Sequence, residues 1–480
     1  MLEGSRAMLV ALACVLAGGC LPSLKSNPPR EANKHVPTSF GLGPAGAGSS
    51  QATSVAQKKF AEFFVSPELR GLIDTALKSN QELNIRLQDI VIAQNEVSAR
   101  QGAYLPTLGA QAGAGVEKVG DRTSQGVSDE AHGVPKNLGN FTFGLMGSWE
   151  IDVWKKLRNA AQSARLRYLA EIEGRNFMAT QLVAEIARSY FDLVSLDNEL
   201  EILKENIKIQ TDALEVVKLE KQAARVTELA VQRFEAEVLK NRSRLYDVEQ
   251  ERVQAENRIN FLLGRYPQPV RRNPRDFDAA LPDIVEAGLP AQLLENRPDV
   301  RQAELQLEAA KLDVKVAKTA FYPALRIDAG VGYQSFNLAH LVTTPESLAY
   351  NVGAGLTAPL LNRAAIAAQY RSANALQLQA VFSYEKTLLQ AFTDVANQLA
   401  MMENLRKSYA LQSQQVDTLA RSVEISNILF QSARADYMEV LLTRRDSLEA
   451  QVTRIETKKR QLQALVNVYQ ALGGGWRSGT

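Results

Sequence analysis

A stretch of about 69 residues, 363–431, contains no proline and no glycine. As one helix it would extend for about 100 Å at 1.5 Å per residue. Apolar side chains recur every seven positions along one face of it, at Val381, Leu388, Val395, Met402, Tyr409, Val416, Val423 and Phe430. A seven-residue period is typical of a coiled-coil seam and implies left-handed supercoiling. Such a helix needs partners of matching length, so the rest of the chain should supply long helices.

The chain also contains an internal repeat. Residues 93–106 match residues 310–323 at an offset of about 217, and residues 224–226 match 433–435 at an offset of about 209. Self-similarity at a fixed offset indicates that one structural unit occurs twice. We therefore expect the two halves of the chain to share one succession of helices and strands.

The predicted organisation follows from this repeat. We place a signal peptide at 1–19, a lipid-anchored linker at 20–66, repeat 1 at 67–264, an inter-repeat linker at 265–288, repeat 2 at 289–476 and a tail at 477–480. Each repeat should hold a short helix, two strands, a long helix and a final helix. These are predicted at 81–103, 107–116, 141–153, 155–222 and 226–263 in repeat 1, and at 298–320, 325–334, 350–359, 363–431 and 436–470 in repeat 2. Two shorter helices stacked end to end would match one long helix in length.

The four predicted strands alternate apolar and polar residues over about ten positions. In the third strand, for example, Leu325, Ile327 and Val331 alternate with polar residues and glycine. This length and pattern are typical of transmembrane β-strands, although a half-buried soluble sheet alternates in the same way. Four strands cannot close a barrel alone, and lipid does not tolerate open sheet edges. If the strands span a membrane, the protein must oligomerise.

The N-terminus predicts export. Arg6 precedes a mostly apolar run that ends near Ala17, too short for a membrane-spanning helix. Residues 16–20 resemble a bacterial lipoprotein cleavage box, which would make Cys20 the lipidated first residue of the mature protein. The position three residues before Cys20 holds Ala17, where such boxes usually have leucine. The alternative is an ordinary signal peptide with an incidental cysteine.

Several functional classes find no support in the sequence. The net charge is +2, which gives no argument for a nucleic-acid partner. The two cysteines, Cys14 and Cys20, lie near the N-terminus, and the three histidines are not paired at metal-ligand spacing. No phosphate-binding loop, dinucleotide fingerprint or nucleophile elbow occurs. We therefore predict no catalytic residues, no metal and no cofactor apart from a covalent lipid on Cys20.

Four stretches together carry a family resemblance. Residues 149–154, 289–301, 317–323 and 465–476 resemble motifs of the TolC-like outer-membrane efflux family, in its lipoprotein branch serving resistance-nodulation-division (RND) pumps. Lys155 stands where this family usually has glycine. The resemblance covers about residues 67–476.

The resemblance implies an α+β membrane protein. Three chains would each give four strands to a twelve-stranded β-barrel, continued by a long α-helical coiled-coil barrel in the periplasm. It implies an exit duct in the outer membrane of a Gram-negative bacterium rather than an enzyme. Drugs or other small solutes would pass through it from the periplasm to the exterior. Its partners would be a periplasmic adaptor protein and an inner-membrane RND transporter.

Two other functions are compatible with the residue patterns. A channel of a type I protein secretion system would share the tunnel architecture. A coiled-coil scaffold with a soluble four-stranded sheet would explain the seven-residue period, but not four strands of ten residues beside an export signal.

The resemblance also points to the turns that end the long helices. The family usually has glycine at the positions of Ala224 and Ala433, because a helix reversal favours a residue that can take a positive φ. Alanine is penalised there, so the local turn is expected to differ from that of the family. Arg225 and Arg434 are candidate adaptor contacts; solvated charges at a turn are the alternative.

The last group of candidate residues follows the second turn. Met438, Leu442 and Arg445 share one helix face at i, i+4 and i+7, with Glu439 beside it. By position they match the residues that narrow the periplasmic entrance in the family, which often has aspartate where Leu442 stands. In a threefold assembly, Met438 and Leu442 would form an apolar plug, and Glu439 a cation-preferring ring compensated by Arg445 or cations. Ordinary seam residues and surface charges are the alternative.

Overall fold

The computed structural model describes residues 21–24, 28–40, 54–278, 287–359, 361, 363–432 and 434–477. The chain divides into two compact units. The first, the sheet unit, comprises the described parts of residues 1–32, 90–169 and 304–382. The second, the helical unit, comprises the described parts of residues 33–89, 170–303 and 383–480.

Both halves of the chain contain a short helix, two strands, a long helix and a final helix in the same order, and the first half has two further short helices in addition. The first half contains α1 (Phe60–Phe63), α2 (Pro67–Ser79), α3 (Gln81–Gly102), β1 (Thr107–Glu117), α4 (Ser124–Ala131), β2 (Leu138–Ile151), α5 (Lys156–Gln222) and α6 (Glu228–Leu262). The second half contains α7 (Leu293–Asn296), α8 (Pro298–Thr319), β3 (Ala324–Ser335), β4 (Leu348–Thr357), α9 (Ala364–Gln431) and α10 (Tyr437–Ala471). Among the helices in the described part of the chain, none has the length and apolarity needed to cross a membrane.

The two long helices bury equivalent positions at an offset of 209. Helix α5 ends at Gln222 and α9 at Gln431, and the final helices α6 and α10 have 35 residues each. Buried equivalent pairs are Ala179 and Leu388, Leu182 and Ala391, Ile186 and Val395, Tyr190 and Leu399, and Leu196 and Leu405. The seven-residue pattern therefore produces the same packing stripe in both repeats.

The end of each final helix meets the start of a short helix in the same way. The Asn80 side chain donates to the Leu262 carbonyl at 2.8 Å, and the Arg297 guanidinium donates to the Ala471 carbonyl at 3.0 Å. Gly264 and Gly473, the residues that follow, have φ values of 66° and 88°. A Cβ on either would collide with a backbone carbonyl, that of Ser79 or Asn296. Glycine is required at both junctions for conformation and for space.

Several features differ from the sequence prediction. Helix α2 was not predicted, although Ser66 caps it by accepting from the Leu69 amide and Pro67 occupies its first turn. The segment predicted as a linker at 20–66 contains a 3₁₀ turn at Val55–Gln57 and helix α1, because apolar side chains there are buried. The loop between β1 and β2 contains α4, and β2 begins at Leu138 rather than at 141.

Candidate functional site

The four strands form one antiparallel sheet in the order β1-β2-β3-β4. Directly paired residues lie on the same face of such a sheet, and the registers Phe143↔Tyr333, Leu145↔Val331 and Val331↔Tyr350 bring the apolar positions of the strands onto one face. Most of their large side chains are exposed in this chain, including Leu108, Val116, Phe143, Leu145, Val331, Tyr350, Val352 and Leu356. A continuous exposed apolar face of this size marks a surface that another apolar phase or partner covers.

The opposite face of the sheet is lined mostly by glycine and polar residues. Gly144 pairs with Gly332 there. A Cβ on Gly144 would approach the Val331 carbonyl oxygen to 2.6 Å, whereas a Cβ on Gly147, on the apolar face, would meet nothing nearer than 3.5 Å. In the middle of β2 and β3 the glycine face is the crowded one, as is expected of the concave side of a curved sheet, where side-chain positions converge. The glycine face is therefore concave and the apolar face convex.

Strands β1 and β4 are the edges of this sheet. Within the described residues, each is paired on one side only, to β2 and β3 respectively. All the residues of both strands are exposed. Their free backbone N–H and C=O groups are sites for pairing with another chain.

Aromatic residues collect where the strands meet the helices. The Trp149 indole donates to the Tyr104 carbonyl at 3.0 Å, and the Trp154 indole donates to the Pro323 carbonyl at 2.7 Å. The Trp154 ring also lies 5.0 Å from that of Tyr322. Tryptophan and tyrosine with an apolar body and a satisfied polar group are enriched at membrane–water interfaces. This junction therefore has the chemistry expected at one border of a membrane-spanning sheet.

The start of α5 is fixed by Asp152. Its carboxylate accepts from the backbone amides of Leu157 and Arg158, each at 3.0 Å, and from the Arg158 guanidinium at 3.1 Å. Burial alone would raise the pKa of Asp152, but these donors outweigh it and lower the pKa below its usual value. Lys155, where the family usually has glycine, takes a φ of 59° in the turn.

The first long-helix turn keeps the geometry that glycine normally provides. Ala224 has a φ of 57°. The Arg225 amide donates to the Glu220 carbonyl and the Ala224 amide to the Lys221 carbonyl, both at 2.9 Å. This pair of bonds is a Schellman motif. The chain adopts the left-handed conformation at Ala224 and accepts its strain, about 1–2 kcal/mol.

The second turn shows the corresponding bond. The Arg434 amide donates to the Leu429 carbonyl at 2.8 Å. This is the Schellman bond that spans six residues, and it is equivalent to the bond from the Arg225 amide to the Glu220 carbonyl in the first turn. Ala433 lies outside the described residues, as does Cys20. Arg225 and Arg434 are both exposed.

The two turns are followed by helices that share an apolar cluster. Its buried members are Leu214, Val217, Ala230, Val231, Phe234 and Val238. Tyr437 and Leu441 of α10 pack against them. The start of α10 is thereby held against the first turn region, which positions the predicted entrance residues.

The four predicted entrance residues lie on the first three turns of α10 and differ in exposure and in partners. Met438 is half-buried, and its sulfur accepts from Arg233 of α6 at 2.9 Å. Leu442 is 40% exposed and Glu439 is exposed. Arg445 pairs with Asp446 at 3.2 Å. Within this chain Arg445 is therefore engaged by a neighbouring carboxylate, and compensation of a ring of Glu439 residues across three chains stays a prediction.

Sequence reasoning missed the neighbouring Arg444. Its guanidinium donates to the Asn427 side chain at 2.9 Å, while its Nε and one terminal nitrogen are buried with no partner among the described residues. Burial lowers the pKa of Arg444. The sequence gives two adjacent arginines, and only the phase of α10 against α9 shows which one is turned inward.

Comparison with known proteins decides the family. The model of a family described as outer membrane efflux protein matches residues 72–265 and 289–474. The chain belongs to this family. It is 30% identical over 467 residues to the pyoverdine export outer membrane protein OpmQ of Pseudomonas aeruginosa, covering 97% of this chain and 96% of that protein. It is 28% identical over 473 residues to the toluene efflux pump outer membrane protein TtgI of Pseudomonas putida, covering 98% of each.

A solved structure supports the fold. The CmeC outer membrane channel of Campylobacter jejuni matches with a TM-score of 0.81 at 21% identity, covering 95% of this chain and 94% of that one. The predicted fold class, an α+β membrane protein with four strands and long paired helices in each chain, is confirmed. The predicted family, outer-membrane location and role as an efflux channel are confirmed as well.

Proposed function

We propose that three copies of this chain form the outer-membrane exit duct of a tripartite pump. Each chain contributes four strands to a twelve-stranded barrel and its helices to a periplasmic tunnel. The observation that carries this proposal is the sheet: its convex face is apolar and exposed, and both of its edges are unpaired within the described residues. Pairing β1 of one copy with β4 of the next satisfies those edges, which lipid requires. The chain then acts as a passive channel rather than as an enzyme.

The glycine face gives a matched test of this barrel. Gly332→Val would force a side chain into the concave face at the Gly144 backbone, whereas Gly147→Val adds one to the convex face. We expect Gly332→Val to abolish heat-modifiable, SDS-resistant oligomers in the outer-membrane fraction and Gly147→Val to leave them near the wild-type level. Equal amounts of oligomer in both variants would contradict a closed barrel with this face inside.

We propose that the duct is narrowest at the start of α10. Leu442 and Glu439 are exposed on one side of the helix, and threefold repetition would turn each into a ring of three. Leu442 with the half-buried Met438 supplies the apolar plug, and the three Glu439 carboxylates favour cations. Since Arg445 is paired with Asp446, bound cations rather than Arg445 offset the charge of this ring.

Single-channel conductance in planar bilayers tests this entrance. Met438→Ala combined with Leu442→Ala should raise conductance, and Glu439→Gln should weaken cation preference without changing the apolar plug. Glu449→Gln, farther along the exposed side of α10, is the control and should change neither property. Wild-type conductance and selectivity in all variants would place the constriction elsewhere.

We propose that the helix turns contact a periplasmic adaptor. Near each turn the long helix exposes two apolar residues at equivalent positions: Val216 and Leu219 on α5, and Ile425 and Ile428 on α9. Arg225 and Arg434 follow at equivalent positions beyond them. Three copies would therefore present six similar apolar and basic patches, which suits a partner that binds the rim of the tunnel.

Crosslinking tests the adaptor contact. A photoreactive residue at Arg225 or Arg434 should capture the adaptor, and one at Leu389, remote from the turns along α9, should not. Capture from Leu389 alone would contradict docking at the turns.

The inner-membrane partner in this proposal is an RND transporter, which supplies the energy.

We propose that Cys20 carries a lipid anchor. Cys20→Ser should remove metabolic acyl labelling, while the barrel can still insert. A wild-type protein that takes up no acyl label would contradict the anchor.

The cargo is proposed to be a small solute; the two relatives named above differ in the compound they export. Selectivity is accordingly assigned to the pump rather than to the duct.

A further inference from the structure

Charged residues on the glycine face lie at the two ends of the sheet. Glu150, Arg326 and Asp328 occupy the end next to the helices, and Glu117 occupies the opposite end. The positions between them carry glycine or uncharged side chains. A solute that moves along this face therefore meets a concentration of charge where the sheet joins the helices.

Arg326 lacks the partner that its strand register offers. It stands directly opposite Glu150, and opposite charges at such positions normally attract each other. The Glu150 carboxylate instead accepts from Lys156, the first residue of α5, at 2.9 Å. Among the described residues, the exposed Arg326 guanidinium has no hydrogen-bond or ion-pair partner. Its charge is therefore available to a ligand.

Asp328, two positions farther along β3, is available in the same way. It is exposed and stands opposite Ser148 of β2, and its carboxylate has no hydrogen-bond or ion-pair partner in the part of the chain that the structure describes. On the other side, β4 places Gly353 opposite Asp328 and Gly355 opposite Arg326. A Cβ on either glycine would meet no atom within 4 Å. The space beside both charged groups is therefore open.

The strand fixes the distance between these two charges. Residues i and i+2 of a strand lie on one face about 7 Å apart, with side chains roughly perpendicular to the sheet. A guanidinium group binds a carboxylate through two parallel hydrogen bonds, and a carboxylate binds an ammonium group. An extended dipeptide spans about 7 Å from its ammonium group to its carboxylate. A free amino acid carries both groups on one carbon atom and is too short to reach both side chains.

We propose that Arg326 and Asp328 form a binding site for zwitterionic solutes of about dipeptide length. Arg326 holds the carboxylate of the solute, and Asp328 holds its ammonium group. The site rests on the proposed duct, which places the glycine face inside the barrel, and it names a class of cargo for that duct. Both side chains are exposed, so binding is weak and the solute leaves again, as passage requires. The duct thereby adds a mild preference to the selectivity of the pump.

Saturation-transfer NMR on the full-length protein, extracted from outer membranes in mild detergent, detects binding of this strength. Three probes differ only in charge. Alanyl-alanine has both charged groups, its C-terminal amide keeps only the ammonium group, and N-acetyl-alanyl-alanine keeps only the carboxylate. On the unsubstituted protein, alanyl-alanine should bind about threefold more tightly than either capped form, which is within the contribution of one exposed ion pair.

Two charge-removing variants assign the contacts. Asp328→Asn should lower the affinity for alanyl-alanine to that of the N-acetyl form and leave the affinity for the N-acetyl form unchanged. Arg326→Gln should lower it to that of the amide and leave the affinity for the amide unchanged. Glu117→Gln removes a charge from the opposite end of the glycine face and is the control, which should change the binding of no probe. A loss in Glu117→Gln equal to that in Asp328→Asn would overturn the site.

The ion conductance of the same preparations in planar bilayers separates failure of the site from failure of the duct. Conducting preparations of the unsubstituted protein that bind all three probes equally would overturn the zwitterion site and leave the duct intact. An unsubstituted protein that gives no conductance would overturn the duct, and with it the place of the site inside a barrel.

Discussion

The two repeats are alike at their turns and junctions and unlike at one face of their final helices. Gly264 and Gly473 occupy equivalent junctions with positive φ, and the Arg225 and Arg434 amides close equivalent turns. Yet α10 buries a face that α6 exposes. The shared features are those that one chain can complete by itself. The feature that differs is one that repeat 2 completes with repeat 1, and that stays exposed on repeat 1 in the single chain.

The largest expected loss of stability comes from a charge on the face of α10 that is covered within the chain. Leu462→Asp would place a carboxylate at a position 2% exposed in the chain itself, and should destabilise the fold by about 4 kcal/mol or more. The equivalent change, Val253→Asp, should leave the folded chain intact and lower the yield of SDS-resistant oligomer. Circular dichroism and protease resistance of unassembled chains report the fold. Loss of folding in Val253→Asp equal to that in Leu462→Asp would mean that the α6 face is covered within the chain.

The next largest loss of stability is expected at the two glycine junctions, where the repeats have the same structure. Gly264→Ala and Gly473→Ala each introduce a Cβ at a positive φ and against a carbonyl, and each should cost about 2 kcal/mol or more. Both should lower the thermal midpoint of the oligomer by a similar amount. Gly71→Ala, in a helix interior with no atom near the added Cβ, is the control and should be neutral or stabilising. A marked difference between the two junction variants would show that the repeats differ there as well.

A smaller effect of opposite sign is expected at the first turn. Ala224→Gly should stabilise the protein by about 1 kcal/mol, since glycine takes a φ of 57° without a steric penalty. Ala223→Gly, one residue earlier, gives no such relief because Ala223 does not have a positive φ. A thermal midpoint raised by the first substitution alone is the expected result. Equal shifts for both would contradict the strain assigned to Ala224.

The sequence predicted the features that depend on local periodicity. The alternation in each strand predicted its apolar residues, and strand pairing then brought these residues onto one face. The seven-residue period predicted the buried stripe of α9: Val381, Leu388, Val395 and Val416 are buried, and the four other members are half-buried. Helix α2 carried a readable signal as well, since Leu69, Leu72, Ile73 and Ala76 follow helical spacing behind a Ser-Pro start.

Other features could not be predicted because they depend on packing between distant elements. Adjacent Arg444 and Arg445 differ in burial only through the phase of α10 against α9. Arg445 pairs with Asp446, and the sequence alone does not show which of the nearby carboxylates it meets. The exposed face of α6 and the covered face of α10 both carry apolar residues at helical spacing, so only their exposure in the folded chain distinguishes them.

The number of chains in the native oligomer tests the central claim most directly. Native mass spectrometry of the protein extracted from outer membranes in mild detergent counts those chains. The proposed assembly, in which three four-stranded sheets close one twelve-stranded barrel, predicts three chains and no stable dimer. A single chain, or a closed dimer, as the main species would contradict the account.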